Sequence, residues 1–223
     1  MKNVFTFLLL LFSLLCNGQS PKLFTTDKEL SSSLINQIYQ DRNGFIWIAT
    51  EDGLNRYDGA KFTIYKHEPN NEHSLAHNFV RTVFEDSKGH LLIGTYIGIQ
   101  MYDPATDNFT PLAKLEDTGE TLESNINSFI ERKNGEIWVS GNVLCKLDIK
   151  DHLLTVRKVD IAVTSPGSLF EDKKQNVWMA KGEEGVYQLT PDNQLTLHLS
   201  KDNGYVKSIC EDQRGNIYVG SIR

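Results

Sequence analysis

Residues 38–50 read IYQDRNGFIWIAT, and variants of this stretch return four more times along the chain. The later copies are VFEDSKGHLLIGT from Val83, FIERKNGEIWVSG from Phe129, LFEDKKQNVWMAK from Leu169 and ICEDQRGNIYVGS from Ile209. Their seventh position is Gly in four copies and Gln in the fourth, and it recurs every 40 to 46 residues. Five copies at this spacing indicate a repeat architecture.

Each copy contains a turn signal between two apolar runs. An Asp three residues before the Gly column suits the first position of a type I turn, where its carboxylate accepts backbone N–H bonds. The Gly then occupies the position that needs positive φ. The apolar runs on both sides predict a hairpin. The predicted turn residues are Asp41, Gly44, Asp86, Gly89, Gly135, Asp172, Asp212 and Gly215.

The second strand of this hairpin is apolar on both faces. In the first copy Phe45, Trp47 and Ala49 alternate with Ile46 and Ile48. A strand of this kind lies between other layers rather than at a surface. The aromatic column three residues after the Gly column is therefore predicted to pack in the core between sheets, and its members are Trp47, Trp138, Trp178 and Tyr218.

Two further strands follow the hairpin in each complete repeat. Residues 53–58 (GLNRYD) and 98–103 (GIQMYD) predict a third strand, and a more polar fourth strand follows. Four strands every 40 to 46 residues is the period of a β-propeller blade. The sequence thus predicts an all-β propeller with four complete four-stranded blades and the first hairpin of a fifth, in an incomplete ring. The blades are expected at about 28–66, 74–113, 121–157 and 164–200, with a partial blade at 203–223.

The N-terminus has the pattern of a secretory signal. A short basic start precedes a 12-residue apolar run, Val4 to Leu15, which suits the h-region of a signal peptide. Small residues near Gly18 predict a signal peptide at residues 1–18, with cleavage after Gly18. Lipidation of Cys16 is the alternative, although Leu15 is bulky for that processing.

Composition excludes several classes of function. The chain has 23 basic and 29 acidic residues, a net charge of −6, and no Lys/Arg stripe, which argues against nucleic-acid binding. No stretch approaches the roughly 18 to 20 apolar residues that span a bilayer. Cys145 and Cys210 are expected to stay unpaired because a whole blade separates them.

No group of residues predicts a catalytic, metal or cofactor site. The recurrent aspartates occupy separate blades, too far apart for acid/base work, and the histidines lack metal-ligand spacing. Ligand contacts are expected from loops on a rigid scaffold. The loops at 50–56, 66–78 and 94–98 qualify by residue type, and no single ligand-binding residue is identified.

The repeats resemble the propeller repeats in the periplasmic sensor half of hybrid two-component regulators, typical of Bacteroidetes. The family pattern, S-L-x-x-x-x-V-x-x-I-x-x-D-x-x-G-x-I-W-I-G-T-x-x-G-L-x-x-Y-D, resembles Ser33–Asp58 and Ser74–Asp103. Two positions depart from it: Arg132 replaces the turn Asp and Gln175 replaces the turn Gly. We expect Asn176 to supply the positive φ in the fourth repeat, since Asn tolerates that region.

The resemblance implies a periplasmic, ligand-sensing segment that signals to a histidine kinase outside this chain. It further implies a glycan-derived oligosaccharide as the ligand, a homodimer in the full-length protein, and further blades of a longer chain that complete a seven-bladed ring. On this reading the segment is not an enzyme. The alternatives are a propeller-fold enzyme acting on glycans, of lyase or sialidase type, and a scaffold that binds proteins.

Overall fold

The computed structural model of the chain describes residues 23–26, 29–199 and 204–222, and every regular element in these ranges is a β-strand. In chain order the strands are β1 (Ile35–Gln40), β2 (Ile46–Thr50), β3 (Gly53–Tyr57), β4 (Phe62–Tyr65), β5 (Val80–Glu85), β6 (Leu91–Thr95), β7 (Ile99–Asp103), β8 (Asn108–Phe109), β9 (Lys114–Leu115), β10 (Ser128–Glu131), β11 (Ile137–Ser140), β12 (Leu144–Lys150), β13 (Leu153–Lys158), β14 (Leu169–Glu171), β15 (Val177–Lys181), β16 (Gly185–Leu189), β17 (Leu195–Leu199), β18 (Tyr205–Glu211) and β19 (Ile217–Ile222). The predicted signal peptide, Cys16 included, lies outside the described residues. A search of the described residues for a bilayer-spanning helix finds none.

Consecutive strands form antiparallel meanders. The sheets follow the orders β1-β2-β3-β4, β5-β6-β7-β8, β14-β15-β16-β17 and β18-β19, and the third sheet contains β10-β11-β12-β13. Four complete blades and the first hairpin of a fifth are therefore confirmed. The third sheet also gains β9, which pairs in parallel with β13 and which the repeat pattern did not predict.

Neighbouring sheets contact each other through their first strands. β1 contacts β5, β5 contacts β10, β10 contacts β14, and β14 contacts β18. Each pair of neighbouring sheets encloses its own apolar cluster, so the core is divided into layers between blades. The three tryptophans of the predicted core column, Trp47, Trp138 and Trp178, are 0%, 3% and 8% exposed, each in the layer between its own sheet and the following one.

Tyr218, the fourth member of that column, requires a correction. It lies on β19 and is 56% exposed rather than buried. The other members of the column are buried because the following sheet covers each of them. No described residues form a sheet over β18 and β19.

The conserved geometry of the repeat lies in its first turn. In the first blade the N–H of Gly44 donates to the carbonyl of Asp41 at 3.0 Å, and Gly44 has φ of 89°. The same backbone bond joins the equivalent residues of the other four turns at 2.8 to 3.2 Å. Gly89, Gly135 and Gly215 have φ of 93°, 83° and 89°. A Cβ would be strained at these angles, which is why Gly recurs.

In the fourth turn Gln175 adopts the left-handed conformation itself, with φ of 67°. The prediction that Asn176 would supply this residue was therefore wrong. The hairpin requires positive φ at the fourth turn position, which Gln175 occupies. Asn176 comes after that position, directly before β15 begins at Val177. There the Asn176 amide donates to Oδ2 of Asp172 at 2.7 Å instead.

The third turn compensates for its missing aspartate. The indole Nε1 of Trp138 donates to Oε2 of Glu136 at 3.0 Å, so a glutamate two residues before the tryptophan provides the carboxylate. The Arg132 guanidinium lies 4.6 Å from the centre of the Trp138 ring, a cation–π distance. Arg132 also pairs with Glu171 of the next blade at 2.8 Å.

A glutamate column joins neighbouring blades beside these turns. The glutamate that ends a first strand accepts a backbone N–H from the turn of the preceding blade, at 2.6 to 3.0 Å. The acceptors are Glu85, Glu131, Glu171 and Glu211, and the donors are Arg42, Ser87, Lys133 and Lys173. The sequence signal for this contact is the Glu directly before the turn position in four of the five copies.

Candidate functional site

The three loops expected to carry ligand contacts meet beside one another at the strand ends of the first two sheets. The N–H of Gly53 donates to the carbonyl of Asn78 at 2.7 Å, and the Asn78 amide donates to Asp52 at 3.1 Å. On the other side the N–H of Tyr96 donates to the carbonyl of Phe79 at 3.0 Å. The chain from 66 to 79 is thus bonded to both neighbouring loops, which makes one continuous surface.

A buried amide holds the middle of this surface in place. The Gln100 side chain is 1% exposed and donates to the carbonyls of Ser74 and Thr110 at 3.0 and 2.8 Å. Its oxygen accepts the N–H of Ala76 at 2.6 Å. All the strong hydrogen-bonding groups of the amide are used, so the 66–78 loop has a fixed anchor.

Asn55 performs the same task one blade earlier. It occupies the position equivalent to Gln100 in the third strand, and its amide exchanges hydrogen bonds with Ser31 at 2.8 and 2.9 Å. Ser31, like Ser74, precedes the first strand of its blade. Sequence reasoning missed both amides. The available signal was one amide at the same place, two residues after the Gly, in GLNRYD and GIQMYD.

Three aromatic rings cluster where the loops meet, and we call His77, Phe79 and Tyr96 the aromatic patch. The ring centres of His77 and Tyr96 are 5.6 Å apart, and those of Phe79 and Tyr96 are 6.0 Å apart. Tyr96 is 54% exposed, and the other two rings are half-buried. The Arg81 guanidinium lies 5.8 Å from the Phe79 ring centre and adds a cation beside the patch.

The tautomer of the neutral His77 ring follows from its backbone contact. Its Nδ1 accepts the N–H of Phe79 at 2.9 Å, so the neutral ring carries its proton on Nε2. The patch therefore combines aromatic faces with an imidazole donor and a guanidinium donor. Such a surface suits a ligand with one apolar face and hydroxyl groups at its edge, because aromatic faces bury C–H groups while the edge donors meet oxygens.

The predicted turn residues take part in folding contacts. Asp86 is 3% exposed, and its Oδ1 accepts the N–H groups of Lys88 and His90. Its Oδ2 accepts from the His90 ring at 2.8 Å. Among the residues that the structure describes, no group of three or more His, Cys, Asp or Glu could hold a metal ion.

Within the described ranges the histidines do not gather into a metal site. His73 bonds the carbonyl of Phe109, and His67 bonds that of Leu75 through Nδ1 at 3.0 Å. His77 belongs to the aromatic patch.

Comparison with known proteins points to regulator repeats. The family described as "Two component regulator propeller" matches residues 29–52, 74–96 and 200–223. A curated relative, histidine kinase P4 of Formosa agariphila, is 37% identical over 83 residues, which cover 34% of this chain and 6% of the kinase.

Solved structures share the fold. The extracellular domain of a proposed hybrid two-component system of B. thetaiotaomicron superposes with a TM-score of 0.73 at 18% identity, over 91% of this chain and 31% of that one. Virginiamycin B lyase of Staphylococcus aureus has a TM-score of 0.64 at 13% identity, over 88% of this chain and 65% of the lyase. Identities this low carry the fold alone. With the matched repeats and the sheet order, the resemblance predicted from the sequence is confirmed: the chain is a β-propeller segment, and residues 29–52, 74–96 and 200–223 match the two-component regulator propeller repeat.

Proposed function

We propose that this chain is part of the extracytoplasmic sensor region of a two-component regulator, and that its aromatic patch binds a sugar ring of a glycan-derived oligosaccharide. Three things support a sensor role: the regulator repeats, the histidine kinase among the relatives, and the extracellular domains among the structural neighbours. The chain spans 6% of that kinase and about a third of those domains, so signalling to a kinase belongs to the proposal.

The observation that carries the ligand class is the exposed Tyr96 ring beside His77, Phe79 and Arg81. One face of a pyranose ring presents C–H groups, which pack on an aromatic face with its negative quadrupole. The hydroxyl groups at the ring edge then meet the imidazole and guanidinium donors. Gln100 keeps the loop from reorganising on binding, which lowers the entropy cost of association.

The recurrent turn carboxylates are engaged in folding contacts, which favours a binding function over a catalytic one for this segment. In the complete blades, the turn aspartates direct their oxygens to N–H groups of their own turn and to the ring that follows. A general acid or base has to reach a substrate proton instead. The similarity to virginiamycin B lyase is a likeness of fold and brings no activity to this chain.

The test is binding of the chain to a glycan array, followed by calorimetric titration of the oligosaccharides that bind. Tyr96→Ala is expected to weaken binding by about three- to tenfold, the range for one aromatic contact. Tyr218→Ala is the matched control, because Tyr218 is 56% exposed on the fifth sheet, away from the patch. The proposal fails when no glycan binds, or when the two variants weaken binding equally.

A further inference from the structure

A cleft of about 700 Å³ opens between the second and third sheets, at their outer edge. One wall is the 66–78 loop, with His67 and Glu72, and the other is the start of β13, with Leu153 and Leu154. Leu112 lies between them. The volume falls within the roughly 300–1,000 Å³ typical of small-molecule sites.

The cleft exists because the second blade departs from the repeat. Its outer strand, β8, has two residues, whereas β4, β13 and β17 have four, six and five. After Phe109 the N–H groups of Thr110 and Ala113 still donate to Met101 and Ile99 of β7, both at 2.9 Å, and β9 then crosses to pair with β13 of the third sheet. The cleft lies beside this crossing segment, whose Pro111, Leu112 and Lys114 belong to the lining.

The two long connections of the chain also flank this cleft. Residues 66–79 join the first two blades and residues 110–127 join the next two, whereas the later connections are 159–168 and 200–204. Long ordered loops in a compact domain are often functional. Gln100 bonds both connections, at Ser74 and Thr110, so the cleft has a fixed wall.

The lining is largely apolar. Its apolar side chains are Ala76, Ile97, Pro111, Leu112, Leu153 and Leu154. Its ionisable side chains are Lys114, His67, His152 and Glu72. The side chain of Glu72 is 77% exposed and lies 4.0 Å from the ring of His73, which is not part of the lining. Among the described residues, Lys114 forms no ion pair, so its ammonium is available to an anion.

We propose that this cleft binds a small organic anion, with the apolar body against Leu153 and Leu112 and the acidic group at Lys114. An apolar body gains from leaving water in such a cleft. The ammonium gives the acidic group a partner at the cleft's edge. None of the three rings of the aromatic patch lines the cleft, and the proposal does not depend on the proposed glycan function.

The probe is 8-anilinonaphthalene-1-sulfonate, compared with N-phenyl-1-naphthylamine, which has the same ring system without the sulfonate. Fluorescence titration of the chain is expected to give tighter binding of the anionic dye. Lys114→Met keeps the apolar stem and is expected to weaken that binding by about two- to fivefold, the range for an exposed ion pair. Equal affinity for the two dyes would overturn the proposal.

Leu153→Glu places a negative charge at the cleft and is expected to abolish most of the anionic dye's binding. Leu197→Glu is the matched control, since Leu197 is a half-exposed leucine on the outer strand of the fourth sheet. Dye binding that persists in Leu153→Glu, or that is lost equally in the control, contradicts the site. Lys114→Met provides an independent readout should Leu153→Glu fail to fold by circular dichroism. Tyr96→Ala is expected to leave dye binding unchanged, which separates this test from that of the aromatic patch.

Discussion

The indole Nε1 of Trp47 donates a 2.8 Å hydrogen bond to Oδ2 of Asp41, the residue that opens the turn before it. Oδ1 of the same carboxylate accepts the backbone N–H groups of Asn43 and Phe45 at 3.0 and 2.9 Å. One side chain therefore closes the turn and fixes the ring that fills the layer between blades. Asp172 and Trp178 repeat this contact at 2.8 Å in the fourth blade.

Removing such a carboxylate should destabilise the fold according to how deeply it is buried. Asp172 is 4% exposed, and Asp172→Ala leaves an indole N–H, an amide and two backbone N–H groups without their acceptor. We expect a loss of about 1–3 kcal/mol in the free energy of unfolding. Urea denaturation followed by tryptophan fluorescence measures it.

The matched control is Asp212→Ala in the fifth turn, which makes the equivalent backbone bonds but is only half-buried. Water replaces its lost hydrogen bonds, so a smaller effect is expected. Equal losses in the two variants would show that burial of the carboxylate is unimportant.

Glu136 should make stability depend on pH. Burial alone would raise its pKa, but hydrogen bonds from Lys146 and Trp138 lower the pKa to about 2. In the unfolded chain a glutamate titrates near about 4.3. Because the folded pKa is the lower one, Glu136 stabilises the fold above about pH 4.3, and this contribution is lost as the pH falls towards 2.

The measurement is the denaturation midpoint at pH 5 and pH 3. Glu136→Gln keeps an acceptor oxygen without the titration, so its midpoint should fall less between these values than that of the unmodified chain. Parallel pH profiles would refute the assignment.

Arg56 should contribute strongly to the contact between the first two blades. Its guanidinium lies 5.1 to 5.7 Å from four aromatic ring centres and 3.0 Å from Asp107 of the second blade. The four rings are those of Phe45, Trp47, Tyr65 and Tyr102. Arg56→Met is expected to cost about 1–2 kcal/mol, in the range for a partly desolvated cation–π contact.

Arg157→Met serves as the comparison, because the Arg157 side chain is 66% exposed and its ion pair with the exposed Glu116 is long, at 3.9 Å. An exposed pair of this kind contributes about 0–1 kcal/mol. Thermal unfolding of both variants decides the matter, and an equal shift in Tm would contradict the prediction.

The two described cysteines should react at very different rates. Burial raises the pKa of the Cys145 thiol to about 11, and this side chain is 1% exposed. Cys210 is exposed, and both are free thiols. In a Cys16→Ser variant, Ellman's reagent should modify one thiol rapidly and the second only after denaturant is added, because the thiolate is the reactive form. Two rapid thiols, or none, would contradict this.

The parts of the fold that were predicted correctly are those that local sequence encodes. The turn residues and the alternating apolar strand around Trp47 are read from neighbours within about ten residues, and they repeat five times. The contact between Asp41 and Trp47 joins two columns that the pattern had shown separately. The prediction that Asn176 would supply the positive φ was wrong because the turn position imposes positive φ on Gln175, a residue type that seldom adopts it.

The candidate site was less predictable because its parts come from different blades. The loops at 50–56, 66–78 and 94–98 were identified by type, but nothing in the sequence placed them side by side. Tyr96 joins Phe79 through a backbone bond between segments that lie 17 positions apart. Gln100 bonds two connections at once, and a single amide in a strand does not reveal its partners.

The sequence by itself determined the repeat, its four strands, its turn chemistry and the burial of Trp47, Trp138 and Trp178, because short-range periodicity and turn residues specify them. Only the tertiary structure decided which faces are covered, how the glutamate column joins the blades, where the aromatic patch lies and why a cleft opens beside β8. Those features depend on pairs of sheets, and burial is set by the neighbour. Tyr218 shows the distinction: it occupies the same column as Trp47, and it is exposed because no described sheet packs over it.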